Sequence, residues 1–174
     1  MTLRSESGFD QSLALGLIIF GVLFRLFPHP DNFTPTMAIA FFSGVTLPPS
    51  LAFTVPLLVM MASDLMIGLH PLFWLVWGSF AAAVWIGLWV RKEASIIRVA
   101  AGALSGSVLF FVVTNLGVFL FESMYPKTWQ GLRECYLMAV PFFRNQFLGD
   151  FFYSFAFFSL FTAVQWMKQP KRIS

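Results

Sequence analysis

Charged side chains are scarce in this chain. Only 11% of its 174 residues are Asp, Glu, Lys or Arg, whereas 58% are hydrophobic and 18% are aromatic. In soluble domains about a quarter of the residues are charged, so this composition argues against a soluble globular protein and is typical of an integral membrane protein. The formal net charge is only +3, and the basic residues concentrate in loops and in the tail, which does not indicate a nucleic-acid partner.

Cysteine and histidine are nearly absent as well. The single cysteine, Cys135, excludes an intrachain disulfide. The two histidines, His29 and His70, lack HxH or HExxH spacing, so a metal site that joins them with nearby acids, or with Cys135, stays a weak hypothesis. The chain contains no Ser/His/Asp order, no P-loop and no glycine-rich nucleotide motif. The sequence therefore predicts neither an enzyme nor a cofactor. No small-residue cleavage site follows the first apolar run, so we expect no removable signal peptide.

Long apolar runs separated by proline-rich or charged turns fill most of the chain. A membrane-spanning helix needs about 20 residues, with a range of roughly 17–25. The third to sixth runs meet this length, the first is marginal, and the second is too short unless it is tilted, interfacial or re-entrant. We therefore predict one all-α domain, residues 1–174, with about six membrane segments. These segments are residues 12–27, 34–47, 50–69, 72–90, 96–121 and 141–166.

The distribution of basic residues predicts the orientation of these segments. If all six cross and the N-terminus lies inside, seven Lys and Arg residues fall on the inner side and four on the outer side, which favours cytoplasmic termini. The inner residues are Arg4, Arg91, Lys92, Arg98, Lys168, Lys171 and Arg172, and the outer residues are Arg25, Lys127, Arg133 and Arg144.

Polar side chains converge at the predicted outer ends of the segments. A charge inside a membrane helix costs roughly 2.5–3.5 kcal/mol on insertion scales, so it usually has a structural partner or a function. The segments contribute the predicted floor and walls of a polar cup, Arg25, Asp64, Asn115, Arg144 and Asp150. The outer loops 28–33, 69–71 and 122–140 contribute its predicted rim, His29, Asp31, Asn32, His70, Tyr125, Lys127 and Trp129.

Several of these residues also have purely structural interpretations. Arg144 and Asp150 are six positions apart and do not share a helix face, so we expect Asp150 to pair with Arg25. Such ion pairs could serve only to hold the bundle together, and Arg144 could extend its guanidinium to interfacial water. The small residues at 101–107 favour close helix packing, either within the chain or against a partner.

Five short runs carry a family resemblance: RLFPHPDNFTP at 25–35, SDLMIGLH at 63–70, TNLG at 114–117, YPKT at 125–128, and PFFRN at 141–145 followed by Gly149-Asp150. They resemble a group of small bacterial integral membrane proteins that is similar to the substrate-binding (S) components of energy-coupling-factor vitamin transporters. The resemblance implies a six-helix S-component fold in the bacterial cytoplasmic membrane, with a small solute bound in an outer cup. S components dock on an energising module through an Ala-xxx-Ala pattern in the first helix. The first segment here carries Ala14, Gly16 and Gly21 instead, so both a shared module and a solitary mode of action stay open.

The sequence thus favours a membrane solute-binding uptake component for a vitamin-like or anionic metabolite. Two arginines and a rim lysine suit a carboxylate or phosphate, and Tyr125 and Trp129 could stack on a flat ring. The main alternative is a structural or assembly protein whose polar network only stabilises the bundle. A metal-dependent membrane enzyme would require His29 and His70 within ligand distance of each other.

Overall fold

A computed structural model describes residues 7–168, which form six α-helices, one short 3-10 turn and no β-strand. Five of the helices are long and apolar enough to cross a membrane. The predicted all-α, multi-pass fold is therefore confirmed. The helices are α1 (Ser7–Leu26), α2 (Thr36–Thr46), α3 (Pro49–Ile67), α4 (Phe73–Val90), α5 (Ile96–Phe121) and α6 (Trp129–Lys168), and the 3-10 turn is Arg91–Glu93.

The short helix α2 occupies the centre of the bundle. Its first ten residues are all buried, and it packs against each of the other five helices. Eleven residues give a helix of about 16 Å at 1.5 Å per residue, roughly half of a 30 Å hydrocarbon core. Part of the bundle axis is therefore not filled by helix. Prolines fix the length of α2, because Pro35 directly precedes it and Pro49 starts the next helix at a favoured first position.

Glycines allow α2 and α4 to touch through their backbones. A Cβ atom on Gly44 would lie 2.4 Å from the Val84 carbonyl oxygen, and one on Gly87 would lie 2.4 Å from the Phe41 carbonyl oxygen. Such distances exclude any side chain unless a helix moves, which is the usual role of small residues at membrane helix crossings. The small residues of α5 have a similar role, since Gly102 faces the Phe41 ring. The small residues of α5 around Gly102 therefore pack against helix α2 of the same chain.

The two ends of the bundle are chemically different. We define the upper end as the one where the C-terminal turns of α1 and α3 meet the N-terminal half of α4, and the lower end as the opposite one. At the lower end, Arg91 donates a 2.8 Å hydrogen bond to the Leu47 carbonyl at the end of α2. Lys168 Nζ also lies there, 3.9 Å from the centroid of the Phe9 ring. Both described ends of the chain are therefore at the lower end.

Helix α6 is much longer than the sequence predicts. Residues 129–140 belong to the predicted outer loop, yet α6 begins at Trp129 and passes through Pro141 without ending. These residues are helical because they pack along α5, where Tyr136 donates a 2.7 Å hydrogen bond to the Val112 carbonyl. A helix of 40 residues is about 60 Å long, so part of α6 extends beyond the hydrocarbon core.

Candidate functional site

A cavity of about 380 Å³ lies at the upper end, above the N-terminus of α2. All six helices contribute side chains to it. Met37, Met60, Phe80 and Phe110 form an apolar part of its wall. The polar lining residues are Arg25, His29, Asn32, Thr34, His70, Gln146 and Asp150. Five of these seven are predicted site residues, and Thr34 and Gln146 are not.

Arg25 is held by a hydrogen-bonded cluster that joins α1, α3 and α4. Its Nη2 lies 2.6 Å from Asp64 Oδ1, and Trp77 Nε1 donates a 2.9 Å hydrogen bond to Asp64 Oδ2. Asp64 is only 2% exposed, and each of its two carboxylate oxygens accepts a hydrogen bond within this cluster. The expectation that Arg25 meets Asp150 is wrong, because the last turn of α1 faces α3 in the bundle.

The Arg25 guanidinium keeps hydrogen-bond capacity that the protein does not use. Of its five N–H groups, one reaches Asp64, and another reaches Met60 Sδ at 3.1 Å, which is a weak acceptor. Arg25 Nε is buried and has no hydrogen-bond partner. Because buried donors are normally paired, the hydrogen-bonding capacity of Arg25 is not fully satisfied within the described chain.

Asp150 forms a second polar cluster in the cavity wall. Its Oδ2 accepts hydrogen bonds from Ser107 Oγ at 2.6 Å and from Gln146 Nε2 at 3.4 Å. The residue is 2% exposed, and no ion pair to it is present within residues 7–168. Asp150 is therefore a buried acid with hydrogen-bond donors around it but no cationic partner in the described chain.

The predicted rim is only partly assembled at the cavity. His29, Asn32 and His70 line it from the connecting segments, and His29 stacks on Phe24 with ring centroids 6.4 Å apart. Asp31 lies on the exposed surface of its loop and does not line the cavity. No three His, Cys, Asp or Glu side chains in the described chain come together as metal ligands, so a His29–His70 metal site gains no third ligand there.

Asp64 pairs with Arg25 but does not itself line the cavity, and the remaining predicted site residues also lie outside it. Asn115 donates a 2.7 Å hydrogen bond to the Phe111 carbonyl and lines a smaller neighbouring cavity of about 170 Å³. Lys127 Nζ donates to the Phe119 and Glu122 carbonyls at the end of α5. Arg144 is exposed, and Trp129 is 82% exposed. Tyr125 is partly buried in the α5–α6 connection and does not line the cavity.

Three residues of the two clusters are absent from the predicted site. Gln146 precedes Asp150 by one helical turn, a spacing at which side chains contact each other. The contact between Gln146 and Asp150 could therefore be predicted from the sequence. The spacing of small residues predicts a packing role for Ser107, although its hydroxyl reaches Asp150. Trp77 lies within a predicted apolar run, and only the assembled bundle shows its N–H beside Asp64.

A larger groove of about 910 Å³ separates α5 from α6 at the lower end. Its walls are mainly apolar and include Val99, Phe155 and Phe158, and Arg91 and Lys92 also line it. None of the residues predicted for the polar site lines this groove. The polar chemistry of the predicted site therefore belongs to the upper cavity.

The family to which the chain is similar carries no functional description. A model described as "Family of unknown function (DUF6580)" matches residues 7–172, nearly the whole length. No curated protein and no solved structure gives a significant match to the chain. The function must therefore be argued from the upper cavity itself.

Proposed function

The chain belongs to the family of unknown function DUF6580, and we propose that it is a membrane solute-binding uptake component. Its upper cavity would hold a small molecule that carries a carboxylate or a similar acidic group. The observation that supports this proposal is Arg25, a cavity-lining guanidinium between membrane helices that retains unused N–H donors.

The position of the Arg25–Asp64 pair favours a binding role. A buried ion pair is weak evidence for stability, because its desolvation cost can exceed the attraction between its charges. Arg25 of this pair lines a cavity, and the cavity volume of about 380 Å³ lies within the roughly 300–1,000 Å³ of small-molecule sites. A bound anion would use the donors that the protein leaves unpaired.

The chemistry of the wall suggests the class of ligand. A guanidinium recognises carboxylate and phosphate groups through two parallel hydrogen bonds, and Arg25 is oriented by Asp64, which itself accepts a hydrogen bond from Trp77. The thioethers and rings of Met37, Met60, Phe80 and Phe110 suit an apolar or flat body. A vitamin-sized acid has both parts.

The direction of binding follows from the basic residues at the two ends. In the described chain, four basic residues lie at the lower end, Arg91, Lys92, Arg98 and Lys168, and four belong to the upper segments, Arg25, Lys127, Arg133 and Arg144. The excess of seven to four in the sequence therefore comes from Arg4, Lys171 and Arg172, which lie outside the described residues. With these three residues counted, the positive-inside rule favours a cytoplasmic lower end. In this orientation the cavity faces outward across a bacterial cytoplasmic membrane. An energising module, as in S components, would then use the cytoplasmic side.

The structural alternative has one specific observation in its favour. The Arg25, Asp64 and Trp77 cluster joins α1, α3 and α4, which is what a bundle-stabilising network requires. Under that alternative the unused donors of Arg25 have no ligand, and purification should yield a second polypeptide and no small molecule.

Matched pairs of acids and amides test the proposed ligand class. We expect at least one acid among nicotinate, biotin and pantothenate to raise the thermal midpoint of the purified protein, while nicotinamide, biotinamide and pantothenamide do not. A ligand at 100 times its Kd stabilises the native state by about 2.7 kcal/mol, which a thermal-shift assay resolves. Arg144→Ala serves as the control and should keep the response, since Arg144 is exposed outside the cavity. Equal responses to acid and amide would count against an anion site.

A further inference from the structure

We infer that Asp150 binds a proton, and that this protonation is linked to the binding of an anion at Arg25 in the same cavity. The inference rests on the proposed function for its anion and adds the charge that accompanies it. Its starting observation is that Asp150 is 2% exposed and lines the cavity.

The hydrogen bonds around Ser107 accommodate both states of the Asp150 carboxyl. Ser107 Oγ lies 2.6 Å from Asp150 Oδ2 and 3.1 Å from the Ala103 carbonyl oxygen, yet a hydroxyl has one hydrogen to donate. When Asp150 is ionised, Ser107 donates to the carboxylate. When Asp150 is protonated, the carboxyl donates to Ser107 Oγ, and Ser107 donates to Ala103. Neither state requires the heavy atoms to move.

The charge balance of the cavity supplies the reason for protonation. Arg25 on α1 and Asp64 on α3 cancel each other, and the histidines His29 and His70 come from the connecting segments. An ionised Asp150 is then a negative charge without a partner in the described chain. In a medium of low dielectric constant such a charge interacts strongly with any other charge nearby.

The helices packed around Asp150 offer few other groups that could titrate. Tyr153 lies one turn further along α6, where its ring contacts Phe24. The described parts of α2, α4 and α5 contribute Met37, Phe80 and Phe110 to the cavity, none of which titrates.

Anion binding and proton binding should therefore favour each other. An anion at Arg25 adds a second negative charge to a cavity that already holds Asp150, and a proton taken from water at the cavity mouth removes one of them. Linkage is reciprocal, so an anion that promotes protonation must itself bind more tightly as the pH falls. A solute that enters as an anion would then be accompanied by a proton.

Infrared difference spectroscopy with a pH titration tests the proton site directly. We expect the wild-type protein to show a protonated-carboxyl C=O band that Asp150→Asn removes. Asp31→Asn is the control and should retain the band, because Asp31 is exposed outside the cavity. Ser107→Ala keeps the carboxyl and should increase its protonated fraction at a given pH, since the ionised form loses a charge-assisted hydrogen bond.

Acetate and its neutral isostere acetamide test the linkage in the same experiment. We expect acetate to raise the ratio of protonated to ionised Asp150 by about fivefold or more, the lower range of coupling between linked sites, while acetamide leaves it unchanged. A spectrum that Asp150→Asn and Ser107→Ala both leave unchanged would overturn the proton site.

A band that titrates but does not respond to acetate would overturn the linkage. If an acid still binds in the thermal-shift assay, that failure concerns this inference alone. If no acid binds there either, the proposed function fails with it.

Discussion

The Gly87→Ala variant should lose most of its folded population in detergent. A Cβ atom at this position would lie 2.4 Å from the Phe41 carbonyl oxygen and 2.9 Å from Gly44 Cα. Both are backbone atoms of the central helix, so no side chain can rotate away. Overpacking a core costs about 1–3 kcal/mol even where side chains can adjust, and here α2 would have to move away from α4. The measurement is the monodisperse fraction in size-exclusion chromatography together with the thermal midpoint.

Gly78→Ala provides a matched control on the same helix. A Cβ atom at Gly78 meets nothing within 4 Å, and alanine is favoured over glycine inside a helix by about 0.5–1 kcal/mol. This control should be as stable as the wild type or slightly more stable. If Gly87→Ala were equally stable, the direct backbone contact between α2 and α4 would be refuted.

The second large effect is expected at the Arg25–Asp64 pair. Arg25→Met removes the cation and leaves the buried Asp64 without its partner, a change that typically costs about 3–5 kcal/mol. Asp64→Asn should also destabilise the fold, since it leaves the Arg25 charge unpaired. The double variant Arg25→Met/Asp64→Asn should recover most of the stability, because a neutral amide oxygen can still accept the Trp77 N–H. Denaturation in detergent measures all three variants.

The double variant also separates stability from binding. It should be folded and yet give no response to the acid that stabilises the wild type, because the guanidinium that binds the acid is gone. A double variant that binds the acid as well as the wild type would assign the pair a structural role only. Arg144→Ala, which changes an exposed arginine outside the cavity, should affect neither stability nor binding.

The all-α class and part of the cavity wall could be predicted from the sequence. Arg25, Asp64 and Asp150 are charges within long apolar runs, and the alternation of helix direction places them at one end of the bundle. His29, Asn32 and His70 follow because they occupy the connections at that end. Chain order and hydropathy are sufficient for these inferences.

The ion-pair partner of Arg25 could not be predicted in the same way. Whether Asp64 or Asp150 faces Arg25 depends on the rotation of α1, α3 and α6 about their axes, which is set by packing between distant segments. The observed start of α6 differs from the predicted one for a related reason. Pro141 suggested a helix start, whereas contacts of residues 129–140 with α5, such as Cys135 Sγ to the Asn115 carbonyl, make that segment helical.

The cavity itself follows from the shortness of α2. A run too short to span was recognisable in the sequence, but its central position was not. Because α2 is surrounded by longer helices and ends near Arg91 at the lower end, the unfilled part of the bundle axis lies at the upper end. The residues that line it are therefore those at the upper ends of all the helices.

Native mass spectrometry tests the central claim, that the upper cavity binds a small acid, most directly. Wild type and the Arg25→Met/Asp64→Asn variant would be purified in mild detergent, incubated with the small-molecule extract of the expressing cells and compared, with the bound compound identified after denaturation. We expect the wild type to carry one acidic metabolite per chain and the double variant to carry none. Identical masses without a ligand in both proteins, or a second polypeptide bound in place of a metabolite, would contradict the claim.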